Sequence, residues 1–263
     1  MLRRMFLLVP LVATGLICLV AINCGGSGNS GGSSGGGPYD VVGNWTITLN
    51  YSTGGSSVGY GTIDSSGRAL FFGTTLAGDY GQTLELPTIT GASSFSGDMT
   101  SYAELGTGGG QVTVSCQGKV NSAASITGTF SGGSSGTFSL SPYAPLSGAA
   151  TAFTDIRAGY IVSTGMNLYY FTFSKSGTHQ SMSFTASNPW SCAFSGTFTQ
   201  KGTENVFDVS ITFTGSACPD DGTVSGLGFE SNSDYFNLNG SGQGTYLYAD
   251  LLGANAFVIE IYP

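Results

Sequence analysis

Hydrophobic and polar positions alternate with a period of two along most of the chain after Val41. In the first clear run, from Trp45 to Tyr51, apolar or aromatic residues occupy every second position, with threonine or asparagine between them. Such alternation places successive side chains on opposite faces of a β-strand. Thr, Tyr, Phe and Val, which favour strands, dominate these runs. Outside the N-terminal apolar run no helical spacing is found, so the pattern predicts an all-β protein.

Turn signals separate the alternating runs. Clusters of Gly, Ser, Asn and Asp recur, often at intervals of about eight to twelve residues, for example at 53–55, 131–133 and 239–240. This spacing is typical of short antiparallel strands in a β-sandwich or an up-and-down β-barrel. We expect about eight strands in residues 41–140 and about eight or nine in residues 153–262.

The segment 141–152 is the best candidate for a domain boundary, because it begins with a stretch that contains two prolines and no alternation. It would link β domain 1 (41–140) to β domain 2 (153–263), and each half has the size of a small domain. The halves share a Gly-Thr-Phe motif, at 128–130 and 196–198, which suggests duplication. A single larger barrel or sandwich is the alternative.

The N-terminus has the layout of an export signal. Two arginines precede an apolar run over 5–22, and Cys24 follows that run after one further residue. A basic start followed by such a run predicts an export signal over residues 1–23. The next stretch, 24–40, is rich in Gly and Ser, cannot form a core, and predicts a flexible tether.

The segment Ala21-Ile22-Asn23-Cys24 resembles the lipobox of bacterial lipoproteins. The resemblance implies that Cys24 carries the lipid, becomes the first residue of the mature chain and anchors the protein in a membrane through more than one acyl chain. Many lipoproteins of the inner membrane have aspartate after this cysteine, whereas this chain has Gly25. The resemblance therefore implies the outer membrane or the cell surface. A periplasmic or secreted protein with a plainly cleaved signal is the alternative.

A second resemblance concerns the start of the first strand. Gly43-Asn44-Trp45 resembles the Gly-x-Trp segment of lipocalins and related small barrels, in which the tryptophan closes one end of the barrel. It implies that Trp45 closes a barrel or contacts a ligand, and that the barrel encloses a cavity. A buried tryptophan on an ordinary first strand is the alternative.

Composition narrows the range of partners. The chain has 7 Lys+Arg and 15 Asp+Glu among its 263 residues, with a formal net charge of −8. Loss of Arg3 and Arg4 with the signal would make this charge −10. This charge balance argues against nucleic acid and anionic lipid headgroups as partners. A neutral glycan or a protein fits this balance, alongside the membrane reached through the lipid anchor.

The sequence contains little evidence for a catalytic site or a metal site. The single histidine, His179, lies in a turn-like stretch, and no Gly-x-Ser-x-Gly elbow accompanies it. The pair Asp220 and Asp221 lies in a turn and lacks the spaced oxygen ligands that calcium needs. We expect no enzyme, no cofactor and no metal. A hydrolase needs two carboxylates across a cleft, and a carbohydrate-active hydrolase with an unrecognised pair is an alternative.

The cysteines add a third resemblance and a predicted cross-link. Cys192-Ala-Phe-Ser-Gly196, with Cys218 after a hairpin, resembles a segment of β-rich lipoproteins of Gram-negative bacteria, a group of unknown function, so it implies no activity. If the hairpin turn is centred on 201–204, Cys192 lies opposite about residue 213 and within reach of Cys218. We expect this disulfide in an exported protein. Cys116 is expected to be a buried free thiol.

These features predict a membrane-anchored, exported module with a binding or structural role at the cell envelope. A lipocalin-like carrier of a small ligand and a carbohydrate-active hydrolase are the alternatives. A closed cavity lined by aromatic side chains would favour the carrier. A cleft with two facing carboxylates would favour the hydrolase, and a flat exposed patch would favour the binding module.

Overall fold

The structure is a computed structural model, and it shows an all-β protein, as predicted. All regular elements in the part of the chain that it describes are strands. Within that part, no helix is long and apolar enough to cross a membrane. The described residues are 38–73, 76, 83–102, 111–143, 156–161, 167–175, 181–187, 192–200, 205–214, 218, 222–231, 246–252 and 256–261.

The first eight strands form a closed antiparallel barrel, which we call the first barrel. Each strand pairs with its neighbour in the chain, and β1 also pairs with β8 to close the ring. The predicted strand number of this half is confirmed, and the arrangement is a barrel. The strands are β1 (Gly43–Tyr51), β2 (Ser56–Ile63), β3 (Ala69–Phe72), β4 (Thr83–Leu86), β5 (Ser94–Tyr102), β6 (Gln111–Ser122), β7 (Ser125–Ser131) and β8 (Gly136–Pro142).

The strands of the second half form another antiparallel sheet, which we call the second sheet. They hydrogen bond in the order β10-β11-β12-β13-β14-β15-β16-β9, and β9 also pairs with β10. The strands are β9 (Ile156–Ile161), β10 (Asn167–Lys175), β11 (Ser181–Ser187), β12 (Ala193–Gln200), β13 (Phe207–Thr214), β14 (Gly222–Ser231), β15 (Tyr246–Leu252) and β16 (Ala256–Ile261).

Apolar side chains fill the first barrel. On β6, Val114, Cys116 and Val120 are buried, whereas Gln117 and Lys119 between them are exposed. The same alternation on the other strands builds one continuous cluster, because every second side chain faces the interior. Its largest members include Trp45, Phe71, Phe130 and Phe138.

The Gly-Thr-Phe motif has the same packing in both halves. Gly128 lies directly opposite Phe138, and the ring of Phe138 occupies the place that a Cβ on Gly128 would need. Gly196 and Phe184 of the second sheet form an equivalent pair. Aromatic rings that cover a glycine on the neighbouring strand restore the packing that the glycine lacks. The glycine of the motif is thus covered by a phenylalanine ring of a neighbouring strand in both halves.

Strand β3 is buried on both faces because the second sheet covers its outer side. Leu70 and Phe72 alternate with the residues that face the barrel interior, yet both are fully buried. The ring of Phe72 stacks on Phe229 of β14, with centroids 5.7 Å apart. Nearby, the Nδ2 of Asn44 donates a hydrogen bond to the carbonyl oxygen of Asn205. We call the contact made by these residues the junction.

Strand β8 continues into the segment predicted to be a linker. It ends at Pro142, which lies opposite Trp45, whereas the linker was expected to begin at residue 141. Proline lacks an N–H group and therefore fits a strand where no ladder hydrogen bond needs that donor. The last position of β8 tolerates it for this reason.

Candidate functional site

Serine and threonine side chains form two rows across the outer face of the second sheet. Each residue of a row lies directly opposite the next one on the neighbouring strand, from β10 or β11 to β14. We call these two rows the hydroxyl face, and all of its side chains are exposed or half-buried. The first row is Thr172, Thr185, Ser195, Thr212 and Thr223, and the second is Ser183, Thr197, Ser210 and Ser225.

The local sequence explains why the hydroxyl groups face outward. On β13, side chains alternate strictly between buried and exposed, and Ile211 is buried between the exposed Ser210 and Thr212. The buried residues pack in the core of the second sheet. Because neighbouring strands lie about 4.8 Å apart, the hydroxyl groups repeat at roughly that distance along each row.

A shallow groove lies over the hydroxyl face. One depression of about 500 Å³ covers parts of both rows, and Gly196 contributes to its lining. A second depression of about 290 Å³ extends to Tyr170. The two share Thr172, Thr185 and Ser195 and therefore form one continuous groove across β10 to β13.

The lining of this groove is neutral. None of its lining residues is charged, and the hydroxyl groups of Thr212 and Thr223 are hydrogen bonded at 2.9 Å. A hydroxyl group both donates and accepts hydrogen bonds, so the face can match a ligand that carries hydroxyl groups of its own. The outer face of β6 in the first barrel differs, because Gln117, Lys119 and Asn121 are exposed there.

Tyr170 stands at one end of the groove. Its side chain is 50% exposed, and it lies two residues before Thr172, on the same face of β10. A half-exposed tyrosine offers an apolar ring together with a polar hydroxyl group. Tyr170 thus places an exposed aromatic ring beside a hydroxyl-lined groove.

Trp45 lies inside the first barrel. Its side chain is 2% exposed and belongs to the same cluster as Ile47 and Phe71. The indole Nε1 donates a hydrogen bond to the carbonyl oxygen of Val41, at 2.9 Å. The ring is therefore held between the barrel core and the segment before β1, and its role in closing the barrel stays a prediction.

The predicted disulfide between Cys192 and Cys218 is confirmed, with Cα atoms 4.7 Å apart. The hairpin register differs from the expected one, because Phe213 lies opposite Phe194. The connection between β12 and β13 spans 201–206 and is longer than the four-residue turn expected at 201–204. The register therefore shifts by two residues.

Cys116 is a free, buried thiol, as expected. Burial raises the pKa of this thiol to about 12, so it stays protonated and unreactive at neutral pH. Cys24, the predicted lipidation site, and His179 lie outside the described residues.

Two described carboxylates have structural partners. Asp64 accepts hydrogen bonds from the backbone N–H groups of Ser66 and Arg68, at 2.8 and 2.9 Å, and so fixes the turn after β2. Glu85 accepts a hydrogen bond from the hydroxyl group of Tyr102, at 3.0 Å, and lies 4.0 Å from the Nε of Arg68. Burial and the charge of Glu85 raise the pKa of Tyr102. Both acids are thus engaged in contacts within the first barrel.

Comparison of the chain with protein-family models, curated proteins and solved structures finds no match. The fold and the site therefore define the class: an all-β protein with a closed eight-stranded barrel and, on its second sheet, a neutral hydroxyl face. The sequence alone does not single out that face. Each strand displays alternate Ser and Thr, but only the register between strands aligns them in rows.

Proposed function

We propose that this chain is an exported protein, anchored to the outer membrane or the cell surface through a lipid on Cys24, that binds a neutral glycan. The hydroxyl face and its groove of about 500 Å³ are the observation that supports the binding function. The formal net charge of −8 argues against an anionic partner, which would be repelled.

The chemistry of the groove suits a sugar chain. Glycan hydroxyl groups can donate to and accept from serine and threonine hydroxyl groups, which are short and lose little side-chain entropy on binding. The ring of Tyr170 offers an apolar surface for the C–H face of a sugar ring. The binding energies of several weak contacts, one for each sugar unit, would then add up along an extended glycan.

Replacing Thr172 and Thr185 together with valine is expected to weaken glycan binding by about 30-fold. The two residues lie directly opposite each other within the groove, and valine keeps the β-branched shape while it removes the hydroxyl group. A hydrogen bond contributes about 1 kcal/mol, and two of them correspond to roughly this factor. Affinity electrophoresis of the full chain through gels containing neutral glucan, mannan or galactan measures the change.

The matched control replaces Thr129 and Thr137 with valine. These two threonines also lie directly opposite each other and are exposed, but on the first barrel. The control should migrate as the wild type does. Equal binding by both double variants, or no retardation of the wild type by any of the three polysaccharides, would remove the support for a glycan-binding groove.

The proposed anchor predicts a second result. Metabolic labelling with a palmitate analogue should mark the wild type and the Cys116→Ala variant, whereas Cys24→Ala should carry no label, because the lipid would be attached to Cys24. Gel fluorescence of the isolated protein measures the label. A wild type without label would exclude the anchor. The disulfide supports export in general, because such bonds persist in oxidising compartments.

The proposed organisation follows from the same picture. After removal of the signal (1–23), the lipid on Cys24 and the tether (24–40) would hold two β domains away from the membrane. The strand pairings β9 to β16 support a second eight-stranded domain, joined to the first by a short linker after β8.

A small-ligand carrier is the second candidate function, and the closed barrel supports it. The packed interior of the first barrel favours the outer groove instead.

A further inference from the structure

Glu230 is a buried carboxylic acid at the end of β14. The residue is 2% exposed, and its Oε1 has no hydrogen-bond partner among the described residues. By alternation Glu230 shares a face of the sheet with Val224 and Gly228, and Gly228 lies opposite the buried Phe207. An ionisable group is therefore placed beside the apolar core of the second sheet, where a charge is costly.

The backbone of Glu230 is part of the junction. Its N–H donates to the Oδ1 of Asn205 at 2.9 Å, and its carbonyl oxygen accepts from the Nδ2 of Asn205 at 2.8 Å. The carbonyl oxygen of Asn205 in turn accepts from the Nδ2 of Asn44 on β1, at 3.1 Å. Glu230 is thus connected to the first barrel through one asparagine.

The residues on either side of Glu230 also contact the first barrel. Phe229 stacks on Phe72 of β3, and the hydroxyl group of Ser231 lies 3.2 Å from that of Tyr143. A displacement of the end of β14 would therefore disturb three separate contacts across the junction, those made by residues 229, 230 and 231.

The described surroundings of Glu230 offer no opposite charge. In the described part of the chain no ion pair involves Glu230, and burial raises its pKa from 4.5 to about 7. On β13 the nearest acid, Asp208, is exposed. On β2 the titratable group is Tyr60. On β15 the residue directly opposite Glu230 is Leu247. The titratable residues 246, 248 and 250 of that strand lie opposite 231, 229 and 227.

We propose that Glu230 acts as a proton-dependent latch at the junction. When the carboxyl group is protonated, the end of β14 stays buried and its contacts with the first barrel are intact. When it ionises, the carboxylate draws water toward itself, because an unpaired charge is unstable in an apolar site. Residues 229–231 then separate from the first barrel.

The direction of the pH effect follows from linkage. Because the folded protein holds this proton to higher pH than the unfolded chain, stability is full below about pH 4.5 and falls as the pH rises to about 7. Each unit of pKa corresponds to a factor of ten. The junction is thus expected to open on the order of a hundredfold more often above neutral pH than below about pH 4.5, and about thirtyfold more often at pH 8.5 than at pH 5.5.

Hydrogen exchange followed by mass spectrometry tests the latch on the full chain, at about pH 5.5 and about pH 8.5, with intrinsic exchange rates corrected for pH. In the wild type, peptides covering 43–45 and 226–231 should lose protection at the higher pH, whereas those from β6 to β8 should not. Glu230→Gln, which keeps the shape and cannot ionise, should remove the difference. Asp208→Asn, an exposed acid on the next strand, should leave it unchanged.

Two outcomes would overturn the proposal. One is a Glu230→Gln variant that keeps the wild-type loss of protection at the junction. The other is a wild type in which β6 to β8 lose protection to the same extent. If the glutamine variant does not fold, a ¹³C NMR titration of the wild-type protein measures the pKa of the Glu230 carboxyl group instead. A pKa near 4.5, the ordinary value, would refute the latch.

Discussion

Replacing Gly61 with alanine is expected to destabilise the protein by about 3 kcal/mol. Gly61 lies on β2, opposite Trp45 on one side and Phe71 on the other, and both of these large side chains are buried in the barrel. A Cβ at this position would collide with the carbonyl oxygen of Leu70 and lie 2.7 Å from the Cα of Phe71. The obstacle is backbone, which no side-chain rotation can relieve. The barrel wall would have to open locally.

Urea denaturation followed by circular dichroism measures this effect, with Gly133→Ala as the control. A Cβ on Gly133 would meet nothing within 4 Å, so this substitution should change the free energy of unfolding by less than about 0.5 kcal/mol. If Gly61→Ala were as stable as the control, the close approach of β2 and β3 would not be present in solution.

The sequence predicts the interior of this fold well where one face of a strand is covered. On β13 the apolar residues Val209 and Ile211 are buried and the polar residues between them are exposed, as alternation alone requires. The pattern is reliable there because the direction of a side chain is a local property of an extended backbone. Strand type, the approximate strand number of the first barrel and the buried state of Cys116 all follow from it.

The contacts of the junction cannot be predicted from the alternation of side chains along a strand. The run of four apolar residues from Ala69 to Phe72 indicates a strand buried on both faces, because it does not alternate. It does not reveal that Phe229 provides the cover, since the two aromatic residues are far apart in the chain. The same holds for Glu230, whose position beside glycines and aromatics in β14 gives no sign of its burial.

Register decides what could be predicted of the sites. The two-residue shift that brings Phe194 opposite Phe213 leaves every side chain on its expected face, because strands have a period of two. The disulfide was therefore predictable in spite of the wrong turn length. The hydroxyl face was not, because its rows exist only when every strand from β10 to β14 is in the observed register.

Removing the disulfide is expected to lower the free energy of unfolding by about 3–4 kcal/mol. Cys192 and Cys218 are 26 residues apart, and their bond closes the whole β12–β13 hairpin, so it restricts the unfolded chain. Cys192 is also buried in the core of the second sheet. Urea denaturation of the wild type with and without dithiothreitol measures the loss, and the Cys192→Ala, Cys218→Ala double variant should be insensitive to the reductant.

The effect should reach the hydroxyl face before the molecule unfolds. Ser195, in the groove, lies three residues after Cys192, and the hydroxyl group of Thr214 donates a hydrogen bond to the carbonyl oxygen of Ala193 at 3.1 Å. Without the disulfide this end of the hairpin separates first, because local opening starts where fewest contacts hold a strand. Glycan retardation of the reduced protein should therefore disappear at a lower urea concentration than its circular dichroism signal. Loss of both at one concentration would show that the disulfide stabilises the whole fold without a particular effect on the groove.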